Sequence, residues 1–247
     1  MRAVVFTLLL WASALPAGAA EVLVAVASNF SPTLAELARG FEAASGHRVK
    51  AAAGPTGRLH AQIVAGAPFE VLLAADEVTP ARLVQSGHAV AASRFTYAQG
   101  QLALWSAQPG LVDAHGAVLA SPVIRHLAIA NPRLAPYGQA ALEVLRARGL
   151  EQAWAGRLVM AESVGQAQAY VASGNAELGF VAAAQVLQGG RLARGSVWLV
   201  PAHLHAPIRQ QAVLLQAGEH SAAAQAFMQY LASAPARAVI LAHGYLK

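Results

Sequence analysis

The chain has 247 residues, no cysteine and a formal net charge of +5 at pH 7, with 56% hydrophobic and only 12% charged residues. Disulfides, thiolate metal sites and a cysteine nucleophile are therefore excluded, and so is a disordered chain, because the apolar content suffices for one large or two smaller domains. Lys and Arg are scattered without a basic run, so the surplus reads as a mildly cationic surface with a weak pull on anions, not as a nucleic-acid footprint.

Residues 1–20 read as an export leader. Arg2 gives a positive start, Val4 to Leu10 an apolar centre, and Ala17-Gly-Ala19 a small-residue cleavage site. The apolar centre is too short to span a bilayer. Removal of this leader predicts a periplasmic protein with no stable membrane insertion.

Val22 to Ala27 is an apolar run of strand length. Ser31 is placed as a helix N-cap and Pro32 at the first helical position, where its missing N–H costs nothing. Leu34, Leu37, Ala38 and Phe41 then recur at helical spacing. Ser28 and Asn29 thus fall in a strand-to-helix turn, beside free N–H groups and the positive end of a helix dipole, which suits an anion. The same turn would also serve as a plain cap.

A second strand is expected over 48–53, punctuated by Gly54-Pro-Thr-Gly57, with a short helix over 58–65 and the Thr56 hydroxyl at its entrance. A third strand is expected over 70–75. Thr79-Pro80 opens a helix that Gly87 closes, with Asp76 and Glu77 at its entry. Extended segments over 94–98 and 101–106 flank a crossover at Gln99-Gly100. Beyond it come a strand over 127–130, a loop over 131–138, a helix over 139–148 and a strand over 158–161. Glu162-Ser-Val-Gly165 leads into a helix that Gly174 ends. Strands over 178–182, 197–200 and 211–216 follow, with a helical turn from Gln185 and a return crossover over 201–207. Helices over 221–232 and 235–243 close the chain.

Short strands alternating with helices predict an α/β fold of two lobes, each a mostly parallel sheet flanked by helices, joined by two crossovers. The lobes are expected at 21–98 with 206–247, and at 99–205. Ligands of such sheets bind at the carboxyl ends of strands. Four polar turns stand there: Ser28-Asn29, Thr56-Gly57, Pro136-Tyr137-Gly138 and Ser163-Val164-Gly165.

Other constellations carry less. His203-x-His205 has metal-ligand spacing along an extended segment but no carboxylate beside it. Neither a Gly-x-Ser-x-Gly elbow nor a phosphate-loop motif with its Lys occurs. Trp105, Trp154 and Trp198 are assigned to packing, and Arg58 and Arg133 to solvent or to holding the lobes.

The same turns lie in segments that resemble the periplasmic molybdate-binding proteins of ABC transporters, which have the type II periplasmic-binding-protein fold. The segments are Ala25-Val-Ala-Ser-Asn-Phe30, Thr56-Gly-Arg-Leu59 with Gln62-Ile63, Gly66-Ala-Pro-Phe-Glu-Val71 running to Ala75-Asp76, Phe95-Thr-Tyr-Ala98, Ala130-Asn-Pro-Arg-Leu-Ala-Pro-Tyr-Gly138, Ser173-Gly-Asn-Ala-Glu-Leu-Gly-Phe-Val181 and Gly244-Tyr245. The resemblance implies oxyanion contacts at Ser28, Asn29, Thr56, Tyr137 and Val164, touching the metal only through its oxygens. Another branch of the family places a tyrosine where Ala182 stands, which shifts weight to Tyr137. The implied function is capture of molybdate or tungstate and delivery to an inner-membrane ABC permease, with no catalytic residue, no cofactor and no nucleic-acid partner. The alternatives are a receptor for sulfate or chromate and, from another class, a secreted phosphate- or sulfate-ester hydrolase. The hydrolase needs a base or metal near the anion, and no base adjoins Ser28 or Thr56 in sequence.

Overall fold

The computed structural model describes residues 19–246. Of the expected leader, all but Ala19 and Ala20 lies outside the described residues. Strands β1 (Glu21–Ala27), β2 (Arg48–Gly54), β3 (Val71–Leu73), β4 (Phe95–Gly100), β5 (Leu102–Ser106) and β6 (Leu127–Ala130) are followed by β7 (Leu158–Ala161) and β8 (Leu178–Ala182). A two-residue hairpin, β9 (Leu187–Gln188) and β10 (Arg191–Leu192), precedes β11 (Ser196–Leu199) and β12 (Ile208–Leu214). The helices are α1 (Ser31–Ser45), α2 (Thr56–Val64), α3 (Val78–Gln85), α4 (Pro136–Ala147), α5 (Glu151–Trp154), α6 (Val164–Ala172), α7 (Ala183–Val186), α8 (Ala222–Leu231) and α9 (Ala234–Ala242). Among them none is long and apolar enough to cross a membrane.

Two five-stranded sheets form, in the orders β2-β1-β3-β12-β4 and β11-β5-β8-β6-β7. Each has a parallel trio, and in each one reversed strand, β12 or β5, pairs antiparallel with both neighbours. All other strands of a sheet therefore run one way, as the expected mostly parallel sheets require. The reversed strands follow the crossovers: β4 passes into β5 with only Gln101 between, so one extended segment serves both sheets. The return runs over 200–207.

β1 shows why the first sheet is buried on both faces. Val22, Val24 and Val26 pack against Leu34, Leu37 and Phe41 of α1 and Phe227 of α8. Ala25, on the opposite side of the pleat, meets Leu59 and Ile63 of α2 and Leu83 of α3. In the second sheet Leu127 and Ile129 join Val144 and Leu145 of α4, while Ala128 faces Ala167 and Val171 of α6. Trp154 is fully buried, its indole N–H donating to the Leu119 carbonyl.

Several element boundaries differ from the expectation. Ser31 is the first residue of α1 and not its cap; the cap position is Phe30, Ser28–Phe30 form a 3-10 turn, and the Ser31 hydroxyl makes no bond to the helix end. The loop expected over 131–138 ends early, because Pro136 starts α4 with its fixed φ. The helix expected from Arg58 starts at Thr56 for the same reason of entry geometry, with Pro55 as cap. The strand expected over 211–216 runs from Ile208, three residues earlier, and so includes Gln210. The β9–β10 hairpin at Gly189-Gly190 takes the place of a simple helix stop.

Candidate functional site

Ser28, Asn29, Thr56, Tyr137 and Val164 line one small gap between the sheets, together with Ala27, Gly54, Pro55, Ala75, Ala135 and Pro136. No lining side chain is Lys, Arg, Asp or Glu. A roomier hollow between β4 and α9, lined by Tyr97, Leu231 and Ile240, contains none of the five positions.

Each turn reaches the gap because a strand ends there and a helix begins. Thr56 is the first residue of α2, Tyr137 the second of α4 and Val164 the first of α6. Ser28 and Asn29 lead through the 3-10 turn into α1. First-turn N–H groups have no partner inside their own helix. Those of Tyr137 and Val164 find no backbone acceptor among the described residues. The N-termini of α2, α4 and α6, with the 3-10 turn before α1, thus converge on one space.

The side chains are oriented by bonds that occupy their acceptors. The Thr56 Oγ1 accepts from the Ala75 N–H at 3.1 Å, and the Ser28 Oγ accepts from the Gly165 N–H at 3.3 Å. Both hydroxyl protons remain to be donated. Gly138 lets α4 start against the end of β6: a Cβ there would lie 2.1 Å from the Ala130 carbonyl oxygen. That close approach sets the Tyr137 N–H beside the gap.

The Tyr137 hydroxyl lies elsewhere, accepting from the Gln210 Nε2 at 3.2 Å. Around it is a buried polar cluster at the crossover strands. Gln210 Oε1 stands 2.9 Å from Asn29 Nδ2 and 3.1 Å from the Tyr97 hydroxyl, and the Tyr245 hydroxyl donates to the Asn29 carbonyl at 2.9 Å. Burial pushes the Tyr97, Tyr137 and Tyr245 hydroxyls up, so all three stay protonated and bring no negative charge. Gln210 had no signal in the sequence: one glutamine in a Gln-Gln pair, 181 residues from Asn29.

Further contacts beside the Gln210–Tyr137 bond close the sheets on each other. Besides the Ser28–Gly165 bond, the Gly57 N–H donates to the Leu134 carbonyl at 2.9 Å. Arg58 bridges to Glu162 at 2.7 Å, half exposed, so it holds the lobes and does not enter the gap. A wider hollow sharing Ala135 and Pro136 carries Arg82, Arg133 and His60 at its sides, with Asp76 among them. Asp76 stands one residue before the α3 cap position, Glu77, its Oδ1 accepting from the Thr79 N–H at 2.7 Å, and burial pushes its carboxyl up. Among the described residues no group of three or more metal-ligating side chains is gathered, His203 and His205 included.

The model of the bacterial extracellular solute-binding protein family matches residues 22–246. The molybdate-binding protein ModA of Azotobacter vinelandii is 53% identical over 93% of this chain and 91% of its own length. That of Rhodobacter capsulatus is 46% identical over 94% of this chain and 91% of its own. The solved periplasmic molybdate-binding protein of Azotobacter vinelandii superposes with a TM-score of 0.89 at 46% identity, covering 92% of this chain and 99% of that one. With the two-sheet architecture and the convergent helix ends already described, these matches place the chain in the bacterial extracellular solute-binding proteins, in the family of the molybdate-binding protein ModA.

Proposed function

We propose that the protein is a periplasmic receptor that captures molybdate, and tungstate, between its lobes (21–98 with 206–247, and 99–205) and delivers it to an inner-membrane ABC permease. The observation that carries this reading is the gap lined wholly by uncharged groups, among them the first residues of α2, α4 and α6 and the 3-10 turn before α1. A tetrahedral oxyanion with no proton of its own has acceptors only, and the gap offers donors. Ser28 and Thr56 give hydroxyls, Asn29 its amide, and Tyr137 and Val164 their backbone N–H groups. Each bond to a charged group is worth roughly 1.5–3 kcal/mol. Oriented peptide dipoles balance the dianion without a cation.

The donor set discriminates by protonation and by size. Hydrogen phosphate would set its own O–H against these donors, leaving one bond unmade at a cost of roughly 1–3 kcal/mol. Sulfate has the same acceptor pattern with shorter bonds, and is refused only if the donors stand too far apart to close on it. Closure removes water and completes the shell with groups from the far lobe. The pattern offers no base or metal beside Ser28 or Thr56, which favours a receptor over an ester hydrolase. The leader sequence and the ModA relatives support export.

Calorimetric titration of the mature protein with molybdate, tungstate, sulfate and phosphate tests the reading, with an aryl phosphate offered in parallel. Tight binding of the first two alone is expected. Preference for sulfate, or turnover of the ester, would overturn it.

A further inference from the structure

We propose that Gln210 is a positioning residue for the anion site: it turns the Asn29 carboxamide so that its N–H group, not its oxygen, faces the ligand. The inference rests on the receptor reading above. It comes from counting protons in the buried cluster. As drawn by the distances, Asn29 Nδ2 donates both to Gln210 Oε1 at 2.9 Å and to the Tyr245 hydroxyl at 3.1 Å. The Asn29 Oδ1 is then buried with no partner among the described residues. Asn29 lines the gap, and this arrangement leaves it no free side-chain N–H to offer an anion. The Tyr97 hydroxyl, with a single proton, faces two acceptors as well, the Ala74 carbonyl and Gln210 Oε1, each at 3.1 Å.

Rotating both carboxamides by half a turn removes both conflicts and sets one oxygen pair in exchange, Asn29 Oδ1 against the Tyr245 hydroxyl oxygen at 3.1 Å. Gln210 Nε2 then donates to Asn29 Oδ1 and to the Tyr97 oxygen, and Tyr97 gives its proton to Ala74. Gln210 Oε1 accepts from the Tyr137 hydroxyl, 3.2 Å from the present Nε2. The Tyr245 proton stays on the Asn29 carbonyl. Asn29 Nδ2 is released toward the gap with its hydrogens unpaired, ready for an oxyanion. Gln210 is fully buried on β12, the strand that follows the return crossover, and it touches a residue of each lobe, Asn29 and Tyr137. The orientation of the amide in one lobe is thereby tied to the placement of α4 in the other.

The test uses the mature protein and sodium molybdate. In the wild type, the side-chain amide signals of Asn29 and Gln210 are followed by nitrogen-15 NMR. Both are expected to shift on saturation, although Gln210 does not line the gap; a Gln210 signal that does not move would overturn the inference without any variant. Gln210→Met keeps the volume and removes the polar relay. It is expected to weaken molybdate binding by roughly tenfold or more, the loss of one bond to a charged group, and to abolish the ligand-induced shift of Asn29. Unchanged affinity in Gln210→Met, or an intact Asn29 shift there, would contradict the proposal. A merely structural role would lower the melting temperature and leave the Asn29 shift in place. Ser28→Ala and Thr56→Ala separate the two levels: if both bind molybdate as the wild type does, the site reading itself fails, whereas weakening in both with no effect of Gln210→Met fails this inference alone.

Discussion

The hydroxyls of Ser28 and Thr56 each accept one backbone N–H, so each turns its proton away from that donor and keeps it to give. Removing either should weaken molybdate binding by roughly tenfold to a hundredfold, the value of one hydrogen bond to a charge, with little change in melting temperature. Tyr137 should behave differently. Its hydroxyl is engaged with Gln210, and its N–H survives any side chain. Tyr137→Phe should therefore bind far closer to wild type than Ser28→Ala does; calorimetry on the pair checks this, and equal losses would show that the hydroxyl itself meets the ligand. Ser28, Asn29 and Thr56 were legible in the sequence because a strand run, small polar residues and a helix signal stand side by side. Gln210 was not, because its importance arises only when β12 is laid against Asn29 from the other end of the chain.

At the scale of elements, helix ends do the positioning, and this is where local sequence reading slipped. Pro136-Tyr-Gly138 reads as a turn, yet Pro is also suited to the first helical position, and here it starts α4. That choice decides that Tyr137 offers a first-turn N–H. The expected strand over 211–216 starts three residues late because Arg209 and Gln210 are polar; their alternation of exposed and buried faces belongs to a strand whose inner face carries a polar cluster. The apolar runs of β1, β6 and β8 were unambiguous, since burial on both faces demands continuous hydrophobic residues. One loop carries a pH signature of its own. Burial pushes the Asp113 carboxyl up, but N–H bonds from Ala117, His115 and Val118 outweigh it and hold the group at about 2 against its ordinary 3.8. A depressed carboxylate stabilises the fold above its unfolded value and loses that contribution as pH falls through the folded one. Asp113→Asn should thus melt earlier than wild type at neutral pH, and the two curves should converge between pH 3.8 and about 2. A gap that persists through that range would assign the effect to something other than the charge.

For the molecule as a whole, the charges and the donors are kept apart. Arg82 and Arg133 stand at the sides of the wide hollow, and none of the groups lining the inner gap carries a charge. Cations in such a place raise the rate of encounter with an anion, while the bonds formed after closure set how long it stays. Replacing both arginines by glutamine should slow molybdate association at low salt and leave dissociation unchanged, and the difference should fade as salt screens it; stopped-flow measurements across ionic strength check this, and a faster dissociation would place the arginines in the binding shell instead. Two sheets were to be expected from strand–helix alternation, but the way they meet, through contacts such as Gly57–Leu134, Ser28–Gly165, Arg58–Glu162 and Gln210–Tyr137, could not follow from patterns that act within one sheet.

The central claim is that uncharged donors alone hold a bare dianion. Calorimetric titration with molybdate from about pH 6 to about pH 10, in buffers of different ionisation heat, checks this, because a charged partner such as an imidazole or an amine would exchange protons in or near that range. A constant affinity and no net proton uptake or release are expected. Proton exchange on binding, or an affinity that falls with rising pH, would place a titrating group in the shell and contradict it.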